Sequence, residues 1–231
     1  MSHSDLRWDL TPQEAMRLQT ELAARVIEQD QLGEVRRVAG VDVGLGENNT
    51  IARAAVVVLK FPELIPLDYA VARLPVTFPY IPGLLAFREI PVVLHALEKL
   101  RTEPDVIIVD GHGRAHPRRL GIASHLGVLL DRVTIGCAKS LLCGEAREPD
   151  NRIGAWSPLR DRGEIIGAAV RMRLNTAPVY VSIGHRISLA RAIEIVCKCG
   201  KGYRLPETTR YAHRVAGGED LKLDSMQASM F

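Results

Sequence analysis

No run of about 18 apolar residues occurs anywhere in the 231-residue sequence, which excludes a membrane-spanning helix. The opening residues, Met1-Ser2-His3-Ser4-Asp5, lack a basic segment followed by an apolar one, so no secretory signal is expected. Cysteine is scarce. Cys137, Cys143, Cys197 and Cys199 form no C-x-x-C pair, which argues against a zinc ribbon, and without secretion a disulfide framework is not expected. A reduced, cytoplasmic setting is therefore the expectation. No internal repeat, linker or low-complexity segment divides the chain, so a single domain over 1–231 is expected, with a frayed tail from Gly217. Charge of one sign is not in large excess either. A formal net charge of +3 permits a nucleic-acid partner without demanding one.

What is present is a patterned α/β chain, 47% hydrophobic and able to build a well-packed core. Thr11-Pro12-Gln13-Glu14 reads as a capping box with proline at the first helical position; Ala15, Leu18, Leu22 and Val26 follow on one face, with Gly33 near the end. Three β-like segments come next, roughly 36–45, 51–60 and 65–74, the first two joined by the turn cluster Gly46-Glu47-Asn48-Asn49. A helical pattern covers about 91–100, with an earlier start and a kink at Pro91 as the alternative. Strand 106–110, helix 118–130 and strand 133–137 make a βαβ unit. Strands near 165–171 and 179–183 follow, then a helix capped by Ser188 and ending before Gly200, and a short helix after Pro206. This order fits a mixed central sheet flanked by helices, an antiparallel meander extended by parallel strands, as in the ribonuclease H-like fold.

The densest chemistry lies in Asp110-Gly111-His112-Gly113-Arg114-Ala115-His116-Pro117, directly after the apolar strand Val106-Ile107-Ile108-Val109. Ligands of parallel sheets gather at the carboxyl ends of strands. A carboxylate there is costly if buried unpaired, so Asp110 should face a cation, a metal or water. Asp42 shares one strand face with Gly40 and Gly44, which leaves room for a metal or phosphate; a solvent-facing acid near a bulge is the plainer alternative. Glu89 lies at a helix start, where a carboxylate also complements the helix dipole. Carboxylates converging from separate segments would form a hard-oxygen site for magnesium or manganese. His112 and His116 with Asp110 offer a zinc alternative, though their spacing is not a helical pair. Lys139, at the same sheet edge as Asp110, can neutralise a phosphate or be an ordinary surface lysine. In Pro79-Tyr80-Ile81-Pro82-Gly83 two prolines stiffen a loop that projects Tyr80 and Ile81, a tip suited to wedging between bases or simply to packing on the core.

Five blocks together resemble the endonuclease V family: 38–43, 79–89, 110–118, 135–140 and 181–185, in the family's order and spread over nearly the whole chain. The resemblance implies a ribonuclease H-like, magnesium-dependent nuclease (manganese substituting) that nicks DNA at the second phosphodiester bond 3′ to deoxyinosine. It matches Asp42, Glu89 and Asp110 to metal-binding acids, His213 to a histidine near the water, Tyr80 to the wedge and Lys139 to the site lysine. Variation lies mainly in the tail and in 145–161. Pro79, Ile81, Pro82, Arg88, Arg114, His116 and Arg118 are expected to contact DNA, with Gly83, Leu85, Gly121 and Ile122 forming the base pocket because glycines admit a base edge. The expected partner is damaged DNA, single- or double-stranded, bound by a monomer. Inosine-containing RNA, a non-catalytic lesion-binding role and hydrolysis of small phosphate esters are the alternatives.

Overall fold

The computed structural model describes residues 8–46 and 48–223. A nine-stranded mixed sheet forms its centre. Helix α1 (Pro12–Ala23) carries the expected capping box. It stops ten residues short of Gly33, so Val26 packs against the core from irregular chain. Strands β1 (Arg37–Gly46), β2 (Ile51–Lys60) and β3 (Pro66–Pro75) form the antiparallel meander. Asn48 and Asn49 turn the first hairpin with positive φ, and Glu47 lies outside the described residues. Helix α2 (Ala86–Leu97) begins five residues before Pro91 and takes that proline inside, which brings Glu89 into its first turn. Strand β4 (Val106–Val109), helix α3 (Ile122–Leu130) and β5 (Thr134–Ala138) supply the parallel unit, with α3 starting four residues later than its pattern suggested.

Beyond β5 the sheet turns antiparallel. Its order is β3-β2-β1-β4-β5-β9-β8-β7-β6, with β6 (Glu145–Ala146), β7 (Trp156–Asp161), β8 (Glu164–Val170) and β9 (Val179–His185) forming a second meander. β6 and β7 are additions to the expected elements, short and interrupted by Pro158 in a way that hides a strand pattern. Helices α4 (Leu189–Lys198) and α5 (Glu207–Ala216) close the fold. The tail does not fray at Gly217: Arg214 pairs with Glu219, Tyr69 Oη donates to Asp220 at 3.3 Å, and Leu221 packs on the core. Residues 224–231 lie outside the description. Among the described residues no helix is long and apolar enough to cross a membrane.

Two apolar layers cover the sheet. Val38, Val57, Ile108 and Ile135 meet α4 and α5 on one face, while Val41, Val56, Ile107 and Val109 meet α2 and α3 on the other. Period-two alternation then sends Asp42 to the α5 face, together with Gly40. Gly40 is a glycine for that helix, not for a ligand: a Cβ there would stand 2.0 Å from the Thr208 carbonyl oxygen. Gly44 meets nothing within 4 Å. The close approach of α5 is what carries His213 to Asp42. Gly40→Ala should destabilise by about 3 kcal/mol, a fall of roughly 6–12 °C in Tm, whereas Gly44→Ala should leave thermal unfolding nearly unchanged. Equal effects at both positions would contradict this packing.

Candidate active site

Parallel pairing sets the site. Val41 of β1 lies opposite Val109 of β4, and the Asp110 N–H donates to the Val41 carbonyl at 2.9 Å. The next residue of each strand is an aspartate, so Asp42 and Asp110 come side by side from sequence positions far apart. Both are largely shielded, with side chains 12% and 8% exposed. Each has one basic partner: His213 Nδ1 stands 2.8 Å from Asp42 Oδ2, and Lys139 Nζ stands 2.5 Å from Asp110 Oδ2. Glu89 has no such partner among the described residues. Burial, then the charges of Asp42 and Asp110, push its carboxyl up to about 8, against a smaller opposing pull from Arg88. Burial also raises Asp110, in spite of Lys139.

This is a donor set of oxygens short of positive charge, which is what a hard divalent cation satisfies. As the side chains stand, no three His, Cys, Asp or Glu among the described residues are placed to hold an ion. Lys139 and His213 each contact one aspartate oxygen, and burial raises the Glu89 carboxyl. The donor chemistry fits a divalent cation once those contacts yield. Lys139 itself sits in a braced loop, since the Arg204 guanidinium donates to the Lys139 carbonyl at 2.5 Å and to those of Ala177 and Pro178.

A pocket of about 220 Å³ opens beside this edge. Gly83, Leu85, Gly121 and Ile122 all line it, with Gly111 between it and Asp110 and with Tyr80, Ile81 and Pro82 at the rim. Tyr80 is 69% exposed. The glycines answer to the protein's own packing: a Cβ on Gly121 would meet the His112 carbonyl oxygen at 2.3 Å, and Gly83 takes φ +80° with Arg118 where its Cβ would be.

The wall is fixed by a buried network. The Gly83 carbonyl accepts from Gln19 Nε2 at 3.0 Å, from Arg118 at 2.7 Å and faces His116 Nε2 at 3.0 Å. The Arg118 N–H donates to His116 Nδ1, so the proton of a neutral His116 lies on Nε2. Gln19 also donates to the Leu120 carbonyl and accepts from Arg118 Nε, tying both pocket walls to α1. Gln19 and Leu142, which no sequence pattern singles out, line the pocket too, as does His112, weighed from sequence only as a zinc ligand.

The cations expected to touch DNA are committed inside the protein. His116 is 3% exposed, with burial and the Arg118 charge holding it down at about 4. Arg118 belongs to the network above. Arg114 pairs with Glu28 at 2.6 Å and Glu164 at 3.4 Å. Arg88 is buried, its guanidinium 5.8 Å from the Tyr80 ring centroid. His112 faces the Ser140 carbonyl at 2.9 Å, so the histidines converge with Asp110 on no zinc site.

Residues 20–214 match the family described as Endonuclease V. The chain belongs to the endonuclease V family. It is 58% identical over 210 residues to an endonuclease V of Trichormus variabilis, covering 90% of this chain and 95% of the relative. The crystal structure of the Streptomyces avermitilis endonuclease V superimposes with a TM-score of 0.86 at 43% identity, over 91% of this chain and 93% of that one. The Ciona intestinalis endonuclease V, solved with a 23mer DNA containing an inosine followed by a ribo-adenosine, gives a TM-score of 0.78 at 30% identity, over 90% and 97%. As a member of this family the protein is a nuclease with a ribonuclease H-like sheet.

With its carboxyl raised by burial, Glu89 should make the metal-free protein sensitive to alkali. Its folded-state carboxyl, at about 8, lies above its unfolded value. The stabilisation is thus complete below about pH 4.5 and lost as pH rises through 8. Between pH 7 and 8 Glu89 accounts for a loss of about 1 kcal/mol or roughly 2–4 °C in Tm, with a smaller loss in the same direction from the cysteine thiols that burial also raises. Thermal unfolding in chelator should show this decline in the wild type and lose most of it in Glu89→Gln; a flat wild-type profile would count against the buried neutral acid.

Proposed function

We propose that this endonuclease V hydrolyses DNA at deoxyinosine, cutting the second phosphodiester bond 3′ to the lesion. The observation that carries the reading is the pocket of about 220 Å³ beside Asp110, rimmed by the exposed Tyr80. It is smaller than the roughly 300–1,000 Å³ of ordinary ligand pockets, in keeping with one extruded base and not a whole nucleotide. An enzyme working two bonds away from the base it reads needs the damaged base out of the stack and the backbone laid across the acids. The inosine-containing DNA bound by the Ciona relative supports this substrate.

Asp42, Glu89 and Asp110 would hold Mg²⁺, with Mn²⁺ able to substitute. That ion supplies charge neutralisation at the phosphate and a more acidic bound water. The protein's own groups do the rest. Water attacks phosphorus, the P–O3′ bond breaks, and the products carry a 3′-hydroxyl and a 5′-phosphate. His213, exposed on α5 and hydrogen-bonded to Asp42, positions the water and can accept its proton. Lys139 moves from Asp110 to the phosphate and offsets its charge. Tyr80 fills the gap left by the base, backed by the Arg88 guanidinium. The hypoxanthine enters between Gly83, Leu85, Gly121 and Ile122, held by walls that Gln19 and His116 keep in place.

Nicking of an inosine-containing duplex tests these roles. With Mg²⁺ the wild type should cut two bonds 3′ to the inosine, and Asp42→Ala or Asp110→Ala should lose on the order of 100-fold or more. Tyr80→Ala should reduce the preference for inosine over undamaged duplex while leaving Mg²⁺ binding intact. Full activity in either aspartate variant would end the metal assignment, and unchanged selectivity would end the wedge.

A further inference from the structure

The β6–β7 hairpin carries arginines that the protein does not satisfy. It brackets a groove of about 830 Å³ whose walls include Arg147, Arg160 and Arg162, all exposed. The acids nearby are already taken by arginines from outside the groove. Glu148 pairs with Arg171 at 2.8 Å, Asp161 with Arg119 at 2.9 Å, and Glu164 with Arg119 at 2.8 Å and Arg114 at 3.4 Å. Asp161 keeps only a loose 3.8 Å contact to Arg162. Glu145 lies opposite Arg160 in the ladder and is the one groove acid without an outside partner. Among the described residues neither Arg147 nor Arg160 has a carboxylate within ion-pair distance. Among the lining side chains three arginines stand against two acids, Glu145 and Asp161, and the groove is left net positive.

Its position gives that charge a purpose. Leu142 lines the base pocket, and Gly144, two residues on, lines the groove. Two residues span at most about 7 Å, so groove and pocket adjoin. A strand with one base in the pocket brings its neighbouring phosphates along this side. The arginines named earlier as DNA contacts are buried, ion-paired or hydrogen-bonded within the protein, whereas among the described residues Arg147 and Arg160 have no ion pair and Arg162 has only the loose contact to Asp161. Guanidinium groups also suit phosphate, offering two parallel donors to its oxygens.

We propose that the β6–β7 groove binds the phosphate backbone of DNA flanking the lesion, through Arg147, Arg160 and Arg162. This rests on the deoxyinosine reading of the pocket. The contacts carry no sequence information; they set affinity, its salt dependence and the length of DNA the enzyme needs.

Fluorescence anisotropy in chelator, without cleavage, tests it on two inosine-containing duplexes. One carries at least ten base pairs on both sides of the inosine, and the other is cut back to the pocket and the scissile bond. On the long duplex, Arg147→Ala/Arg160→Ala/Arg162→Ala should bind at least 10-fold more weakly at moderate salt. Its plot of log affinity against log salt should be shallower by roughly 2–3. On the short duplex it should match wild type, which also reports an intact fold, and its preference for inosine should be unchanged. The corresponding triple lysine variant should keep the wild-type slope. A long-duplex affinity and slope equal to wild type overturn the groove assignment. If the wild type shows no preference for inosine at all, the pocket reading fails and takes this proposal with it; a wild type that prefers inosine beside an unaffected triple variant overturns the groove alone.

Discussion

Everything at the site depends on one backbone register. The parallel pairing of β1 and β4, closed by the Asp110 N–H to the Val41 carbonyl, sets two aspartates on adjacent strands at one sheet edge. Neighbouring strands lie only about 4.8 Å apart, so the two charges repel strongly in a shielded setting. Lys139, just past β5, sets its charge against Asp110, and His213 reaches Asp42 from α5. Glu89, reaching the same edge from α2, finds no cation left and keeps its proton. The site thus stores unfavourable charge that the metal-free protein manages with two movable bases and one proton. A slip of one residue in either strand would turn its aspartate to the opposite face, and the arrangement would vanish.

The pocket depends on a second constraint of a different kind. Its walls come from a proline-rich loop and from the segment leading into α3, which β9 anchors through Ser182 and Ile183 at Gly113 and Arg114. Gln19 ties the two together, one amide side chain bonded to Gly83, Leu120 and Arg118 and 1% exposed. His116 and Arg118 complete the same brace. His116 and Arg118 thus brace the walls, while Leu85 and Ile122 line the cavity and Tyr80 stands exposed beside it.

Much of this was legible in the sequence, for physical reasons. Alternating apolar residues and the turn asparagines fixed the first hairpin, and the apolar run ending in Asp110 marked a buried strand with a charge at its tip. Capping residues gave α1 and α4 their starts. The side chains that misled were those whose role is set by distant contacts. Gln19 reads as an ordinary polar helix residue because its carbonyl partners lie 64 and 101 residues away. His116, Arg114 and Arg118 read as a cationic rim because nothing local reveals the burial of His116 or the distant partners of the two arginines. Gly40 reads as room for a ligand, although the space belongs to Thr208 on α5. The outer strands β6 and β7 escaped notice because an edge hairpin with Pro158 needs little apolar alternation.

Asp42, Asp110 and Glu89, its carboxyl raised by burial and by the two aspartates, form one charge-coupled unit, the three acids proposed to hold the cation. Metal binding to such a unit must expel the Glu89 proton. Calorimetric titration with Mg²⁺ near pH 7, repeated in buffers of differing ionisation enthalpy, counts that proton directly. The account predicts the release of about one proton per ion bound by the wild type and far less by Glu89→Gln. Binding with no proton released, or equal release by both proteins, would contradict it.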